Sequence, residues 1–135
     1  VRFIFAELTS LPALAAARPN ASAFHAHVPR DHATGVHLYV HTKGQAVDVR
    51  SRMFAPLHGI LEDPATGGAN VALIGLLAQL SSETDHAMSL RIGQGFEMGR
   101  PSIMDAKAEK RAGKVVQTMI GGECVEMMRG VLNLR

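Results

Sequence analysis

An α+β fold, in which a strongly curved and mostly antiparallel sheet wraps around one central buried helix, is the architecture this sequence predicts. Three observations predict it. Residues 66–80 are almost wholly apolar, and only Thr66, Asn70 and Gln79 carry polar side chains there. A helix resting on one face of a sheet shows a polar stripe at 3.6-residue spacing, so this one needs cover on nearly all sides. The material available to cover it reads as about seven short strands with a two-residue period and turn signals between them, without alternating βαβ units. The helix, about 22 Å long, matches strands of about five to seven residues.

The elements follow in order. Residues 2–8, RFIFAEL, read as a strand, and Val1 opens directly into it. Ser10 is placed as an N-cap, with Pro12 in the first turn of an alanine-rich helix that ends before Pro19. A second short helix, in the segment 20–29, is capped by Asn20. Residues 35–42 alternate, with Val36, Leu38 and Val40 on one face and His37, Tyr39 and His41 on the other. Residues 45–55 continue that period, placing Val47, Val49, Ser51 and Met53 opposite Asp48, Arg50 and Arg52. With Lys43-Gly44-Gln45 between them, residues 36–55 predict a hairpin. After the helix, strands are expected in 86–96, 102–122 and 123–134, with turns at Gly113 and at Gly121-Gly122.

The chain of 135 residues is 47% hydrophobic and 19% charged, which describes one globular domain, residues 1–135, and not a disordered segment. Net charge is +2, but the fourteen Lys and Arg are scattered, and there is one Tyr and no Trp. Nucleic-acid binding asks for a basic stripe with interleaved aromatics, so no such partner is expected. No run reaches the ~20 apolar residues of a membrane span, and residues 1–8 lack the pattern of a signal peptide. A single cysteine, Cys124, forms no internal disulfide and suits a reducing compartment. The expected location is cytoplasmic. Because Val1 takes the place of an initiator Met, the chain is expected to be a piece of something longer.

The chemistry concentrates at the start of the apolar helix, in residues 59–68, GILEDPATGG. A helix N-terminus leaves its first amides without internal partners and carries the positive end of the dipole. Glycines let an anionic group approach such amides closely. Asp63 beside them is a candidate proton-transfer or orienting carboxylate. The plainer reading makes Asp63 an N-cap and Pro64 the first helical residue, with Gly67-Gly68 easing the turn. Local sequence leaves both open.

The stretch FAPLHGILEDPATGGANVALIGLLAQL, residues 54–80, followed by QGFEMGRPS, residues 94–102, resembles the second half of the phenazine-biosynthesis PhzF-like proteins. Two multi-residue blocks in order are a specific signal, and the opening residues and closing strands extend the resemblance over essentially the whole chain. It implies a diaminopimelate-epimerase-like lobe, one of two that face each other across a cleft at their helix N-termini. It also implies acid/base isomerisation of a small carboxylated metabolite, with no metal and no organic cofactor. Asp63 matches the family's active-site aspartate, and Gly67 matches the glycine whose amide holds the substrate carboxylate. Thr66, Gly67 and Gly68 make up the implied substrate-binding set. Gly68 stands where many members have serine, which removes a hydroxyl donor. The family's main proton-transfer glutamate and its partner histidine belong to the other lobe, which this chain lacks. Activity of the chain alone is therefore expected to be weak or absent, and two copies are expected to pair as a homodimer.

The remaining candidates read as structural. Cys124 is expected to be a half-buried strand residue far from Asp63, which argues against thiol-based racemisation. His37 and His41, about 13 Å apart on a strand, are too far apart to share an ion, and His25 and His27 would need an extended local backbone to converge on one. His58 is expected to be a solvated loop residue, Arg100 to pair with an acid, Glu62 to face away from the site or cap, and the seven methionines to fill the core.

Overall fold

The computed structural model describes residues 2–28, 33–42 and 44–133. Val1, Pro29, Lys43 and Leu134, which the sequence places at element ends and in a turn, lie outside the described residues. Strand β1 (Phe3–Glu7) is followed by α1 (Leu11–Ala16) and α2 (Ala21–His27), then β2 (Gly35–His41) and β3 (Val49–Ala55). A 3₁₀ turn at Pro56–His58 leads to β4 (Ile60–Asp63) and the central helix α3 (Gly67–Leu80). Strands β5 (His86–Gln94), β6 (Ser102–Arg111) and β7 (Lys114–Gly121) complete the sheet. Its seven strands run in the order β1-β2-β3-β5-β6-β7, with β4 branching from β3. The chain is thus α+β, with one curled sheet carrying α3 on its inner face.

Local chemistry accounts for the ends of the helices. Ser10 and Asn20 cap α1 and α2, accepting from the amides of Ala13 (3.2 Å) and Ala23 (3.0 Å). At the β6–β7 turn, Ala112 and Gly113 both have positive φ, as a two-residue hairpin turn requires.

Four of the strand pairings are antiparallel, but β1–β2 and β3–β5 are parallel. Parallel neighbours need a crossover, and helices α1 and α2 supply the first while α3 supplies the second. Two crossover units therefore exist where the sequence suggests none. Their strands are too short, and their connections too unlike each other, to show as a repeat.

Three other differences concern strands. Residues 45–48 do not continue β3. Strand β4 is not expected from sequence, because its apolar Ile60 and Leu61 point outward at 49% and 64% exposure. Residues 123–133 form no strand: they run without ladder partners, and Val125, Met127, Met128, Val131 and Leu132 stand exposed. Met127 and Met128 are therefore not core filler, although Met53 and Met104 are.

The core is the seam between α3 and the sheet. Leu73, Ile74 and Ala78 pack with Tyr39, Val49, Ile92, Ala106 and Ala108. Cover of α3 is incomplete, contrary to expectation: Val71, Ala72, Gly75 and Leu76 are only half-buried, and Gly68 and Gln79 are exposed. These positions recur at three- and four-residue spacing along one flank. The sheet ends in two edges, β1 and β7, that do not pair with each other, so it leaves that flank only partly covered.

Both ends of α3 are fastened by polar groups. At its C-terminus the buried Lys110 Nζ donates to the carbonyls of Gln79 (3.1 Å) and Ser81 (2.7 Å), a cation where the dipole is negative. The Gln79 side chain donates to the Gly113 carbonyl and accepts from the Val115 amide, tying the helix to the β6–β7 turn.

On the outer face of the sheet, Arg52 is 3% exposed. Its guanidinium makes two 2.8 Å bonds to the Glu62 carboxylate and donates through Nη1 to the carbonyls of Leu14, Ala15 and Ala17. One side chain thus locks the end of α1, strand β3 and strand β4 together. Glu62→Gln leaves that buried cation without a counter-charge and is expected to lower unfolding free energy by about 3 kcal/mol, read from urea denaturation.

Candidate functional site

Asp63 is the last residue of β4, opposite Met53 of β3, and the turn 64–66 carries the chain from it into α3. The N-cap of α3 is Thr66, and no side chain among the described residues caps the helix. Asp63 is therefore not the N-cap and Pro64 not the first helical residue, which corrects the plainer sequence reading. The Asp63 carboxylate instead takes the Thr66 hydroxyl on Oδ2 at 2.7 Å, while Oδ1 faces the Ala65 amide at 3.5 Å.

Behind this turn lies a buried polar network. Gln94, fully buried, donates from Nε2 to the Asp63 carbonyl (2.6 Å) and the Thr66 hydroxyl (2.9 Å). Its Oε1 accepts from the Thr66 amide (3.3 Å) and from Asn70 Nδ2 (2.7 Å). Asn70, also fully buried, donates its second proton to the Thr66 carbonyl (3.0 Å). Its Oδ1 accepts from His37 Nε2 (3.1 Å) and from the Ser51 hydroxyl (3.4 Å). Both amides use all their donors and acceptors, which justifies burying them in an apolar core.

His37 therefore points inward, on the face that carries the core residue Tyr39, while Val36 and Leu38 look outward, half-buried. Its Nε2 carries the proton, because the Asn70 atom it meets is an acceptor. Nδ1 is a buried lone pair with no partner among the described residues, and the ring lies edge-on to Phe5. Burial pushes the imidazole down to about 4, against a smaller opposite pull from the Asn70 bond. The ring is neutral at physiological pH.

Gly95 has φ 79°, and a Cβ there would stand 2.7 Å from the Pro64 carbonyl oxygen and 2.3 Å from that of Arg100. Only glycine lets the loop after β5 press against the turn that carries Asp63. The same loop is held to β3 through Arg50, whose guanidinium lies 3.6 Å over the Phe96 ring and bonds Glu97 at 2.8 Å.

At the open side of the turn, a cavity of about 230 Å³ is lined by Ala65, Gly67, Ile103, Met104, Ile120 and Cys124, among others. Cys124 is neither half-buried nor in a strand. It is exposed and shares this cavity with Gly67, so it is not remote from the helix tip as the sequence suggests. Neighbours of Gly68 leave room for a side chain, the nearest atom to an added Cβ being Phe3 Cζ at 4.0 Å.

Asp63, Thr66, Gly67 and Gly68 are thus brought together at one tip. His58 is exposed in the 3₁₀ turn, and Arg100 has no ion-pair partner among the described residues. No group of three His, Cys, Asp or Glu among the described residues has metal-binding geometry. No helix among them is long and apolar enough to cross a membrane. Sequence reasoning does not single out Gln94, Asn70 or His37 as parts of the site. The QGFEMGRPS block contains the first of them, and the position of Asn70 as a polar residue near the start of an apolar helix is the second signal.

A curled sheet with a central helix, a carboxylate and uncapped amides at the helix tip defines the class of protein. The chain belongs to the phenazine biosynthesis-like (PhzC-PhzF) family, whose model matches residues 1–130. It is 35% identical over 133 residues to the trans-2,3-dihydro-3-hydroxyanthranilate isomerase of Pseudomonas fluorescens, covering 98% of this chain and 45% of that protein. It is 40% identical over 81 residues to an uncharacterized isomerase of Mesorhizobium japonicum, covering 60% of this chain and 27% of that one. The crystal structure of the Bacillus anthracis PhzF-family phenazine biosynthesis protein shares the fold, with TM-score 0.69, 20% identity, and coverage of 87% of this chain and 44% of that chain. A Clostridium difficile PhzC/PhzF protein matches with TM-score 0.59, 20% identity, and coverage of 93% and 46%. The chain spans about 45% of the length of the first relatives it matches.

Two measurements check this geometry. The unfolded His37 titrates at its ordinary 6.5 and the folded one at about 4, so unfolded chains bind the extra proton in between. The His37 contribution is complete above about pH 6.5 and is lost as pH falls towards 4, roughly 3 kcal/mol in all. In His37→Gln, the loss of urea stability between pH 7 and pH 4 is expected to be smaller by that amount. Gly68→Ser is expected to fold normally and to gain a few tenths of a kcal/mol in the same assay, since serine costs less than glycine in a helix.

Proposed function

We propose that residues 1–135 form one lobe of a two-lobed isomerase that moves a proton on a small carboxylated metabolite, without metal or organic cofactor. The observation that carries this reading is the pairing of Asp63, held by the Thr66 hydroxyl at 2.7 Å, with the uncapped amides of Gly67 and Gly68 at the tip of α3. Those amides and the helix dipole hold the substrate carboxylate. Asp63 beside them transfers or orients the proton at the neighbouring carbon. A fixed set of donors stabilises the charge that develops as that proton leaves.

The isomerases named among the relatives support the reaction class. The likeness to diaminopimelate epimerase in fold, the cleft between two lobes, and a cytoplasmic location belong to the same proposal. The main acid/base glutamate comes from the other lobe, so the chain alone binds ligand without turning it over.

A second reading, a non-catalytic lobe that pairs with a copy of itself, is favoured by one observation: the half-buried apolar flank of α3. It predicts a dimer in light scattering at micromolar concentration, and a clean monomer removes it.

The test of the first reading is NMR titration of the chain with trans-2,3-dihydro-3-hydroxyanthranilate. Amide shifts are expected at Gly67 and Gly68, and Asp63→Asn is expected to weaken binding about tenfold, the loss of one charged hydrogen bond. Millimolar ligand leaving residues 63–68 unmoved rejects the proposal.

A further inference from the structure

We infer that Gln94 is the positioning residue for Asp63: it commits the single proton of the Thr66 hydroxyl to Asp63 Oδ2 and leaves Oδ1 for a ligand. The inference rests on the proposed reading of Asp63 as the reactive carboxylate.

The direction of every proton in the chain of hydrogen bonds follows from two backbone groups. Gln94 meets the Asp63 carbonyl and the Thr66 amide. A carbonyl only accepts and an amide only donates, so the Gln94 side chain has one permitted orientation, with Nε2 towards Asp63 and Oε1 towards Thr66 N. A flipped amide would face oxygen to oxygen and N–H to N–H. In the permitted orientation the second Nε2 proton points at Thr66 Oγ1, at 2.9 Å.

The hydroxyl therefore accepts from Gln94, and its own proton is left for Asp63 Oδ2 at 2.7 Å. Asn70 closes the remaining freedom, since its Nδ2 occupies Gln94 Oε1 and the Thr66 carbonyl. Among the described residues the other carboxylate oxygen faces only the Ala65 amide, at 3.5 Å, a distance long for a hydrogen bond. One oxygen is thus anchored and one is available. Thr66, expected from sequence to contact substrate, has in this inference the added role of orienting Asp63, since its hydroxyl proton goes to that carboxylate.

The test reads the Asp63 side-chain rotamer in the folded chain by NMR, from its Hα–Hβ couplings, together with the Thr66 hydroxyl proton. In the wild type and in Thr66→Ser, Asp63 is expected to occupy one staggered well and the hydroxyl proton to exchange slowly with water. Gln94→Glu replaces the donor with an acceptor of the same shape, which draws the hydroxyl proton away from Asp63. Thr66→Val removes the hydroxyl at nearly constant volume. Both are expected to average the Asp63 couplings over several wells and to weaken the ligand titration several-fold, with the other amide resonances unchanged.

A single Asp63 rotamer persisting in folded Gln94→Glu, or in Thr66→Val, overturns the inference, as does averaging already present in the wild type. Should Gln94→Glu not fold, the contrast between Thr66→Val and Thr66→Ser decides alone. The rotamer readout needs no ligand. Averaged couplings in the variants therefore uphold the positioning role even where Asp63→Asn leaves binding untouched, an outcome that instead rejects Asp63 as the reactive group.

Discussion

An apolar helix set into a curled sheet offers polar groups only its two ends, and the placement of everything else follows from how those ends are fastened. Burial of Leu73, Ile74 and Ala78 is non-directional: it draws α3 into the sheet without setting where the helix stops along its axis. Hydrogen bonds set that. Lys110 and Gln79 hold the carboxyl end to the β6–β7 turn, while Asn70 and Gln94 hold the amino end to the close of β5. The tip that carries Asp63 inherits its position from this two-point attachment.

The amino-terminal attachment has a second property, because its groups are saturated. Gln94 and Asn70 have no spare donor or acceptor, so neither amide turns without leaving a buried polar atom unpaired. His37 closes the network at the far side as a neutral ring, with its one N–H spent on Asn70. Order in this region thus runs from the core outward to the carboxylate, and the exposed face of the turn is left with amides and one carboxylate oxygen. Gly95 contributes by what it lacks, since a side chain there would collide with the Pro64 carbonyl.

Much of the fold was legible from periodicity and punctuation. Ser10, Asn20 and the Ala112-Gly113 turn act through their own neighbours, so local chemistry announces them. The parallel pairings, β4 and the half-buried flank of α3 were not legible. Each depends on which strands end up adjacent, and a strand's two-residue period is the same whichever neighbour it takes. Cys124 shows the same limit: residues 123–133 look like a strand, yet no edge receives them, and the thiol comes to the cavity beside Gly67.

The sequence by itself determined that this is an α+β protein built on one central apolar helix, and it marked Asp63 and the glycines after it as the candidate site, because hydropathy and the DPATGG segment are written locally. Only the tertiary structure decided that Thr66 rather than Asp63 begins the helix, and that Glu62 belongs to Arg52. It alone drew Gln94, Asn70 and His37 into one network. Hydrogen bonds between residues tens of positions apart depend on distance and angle in the packed state, and no spacing along the chain encodes either.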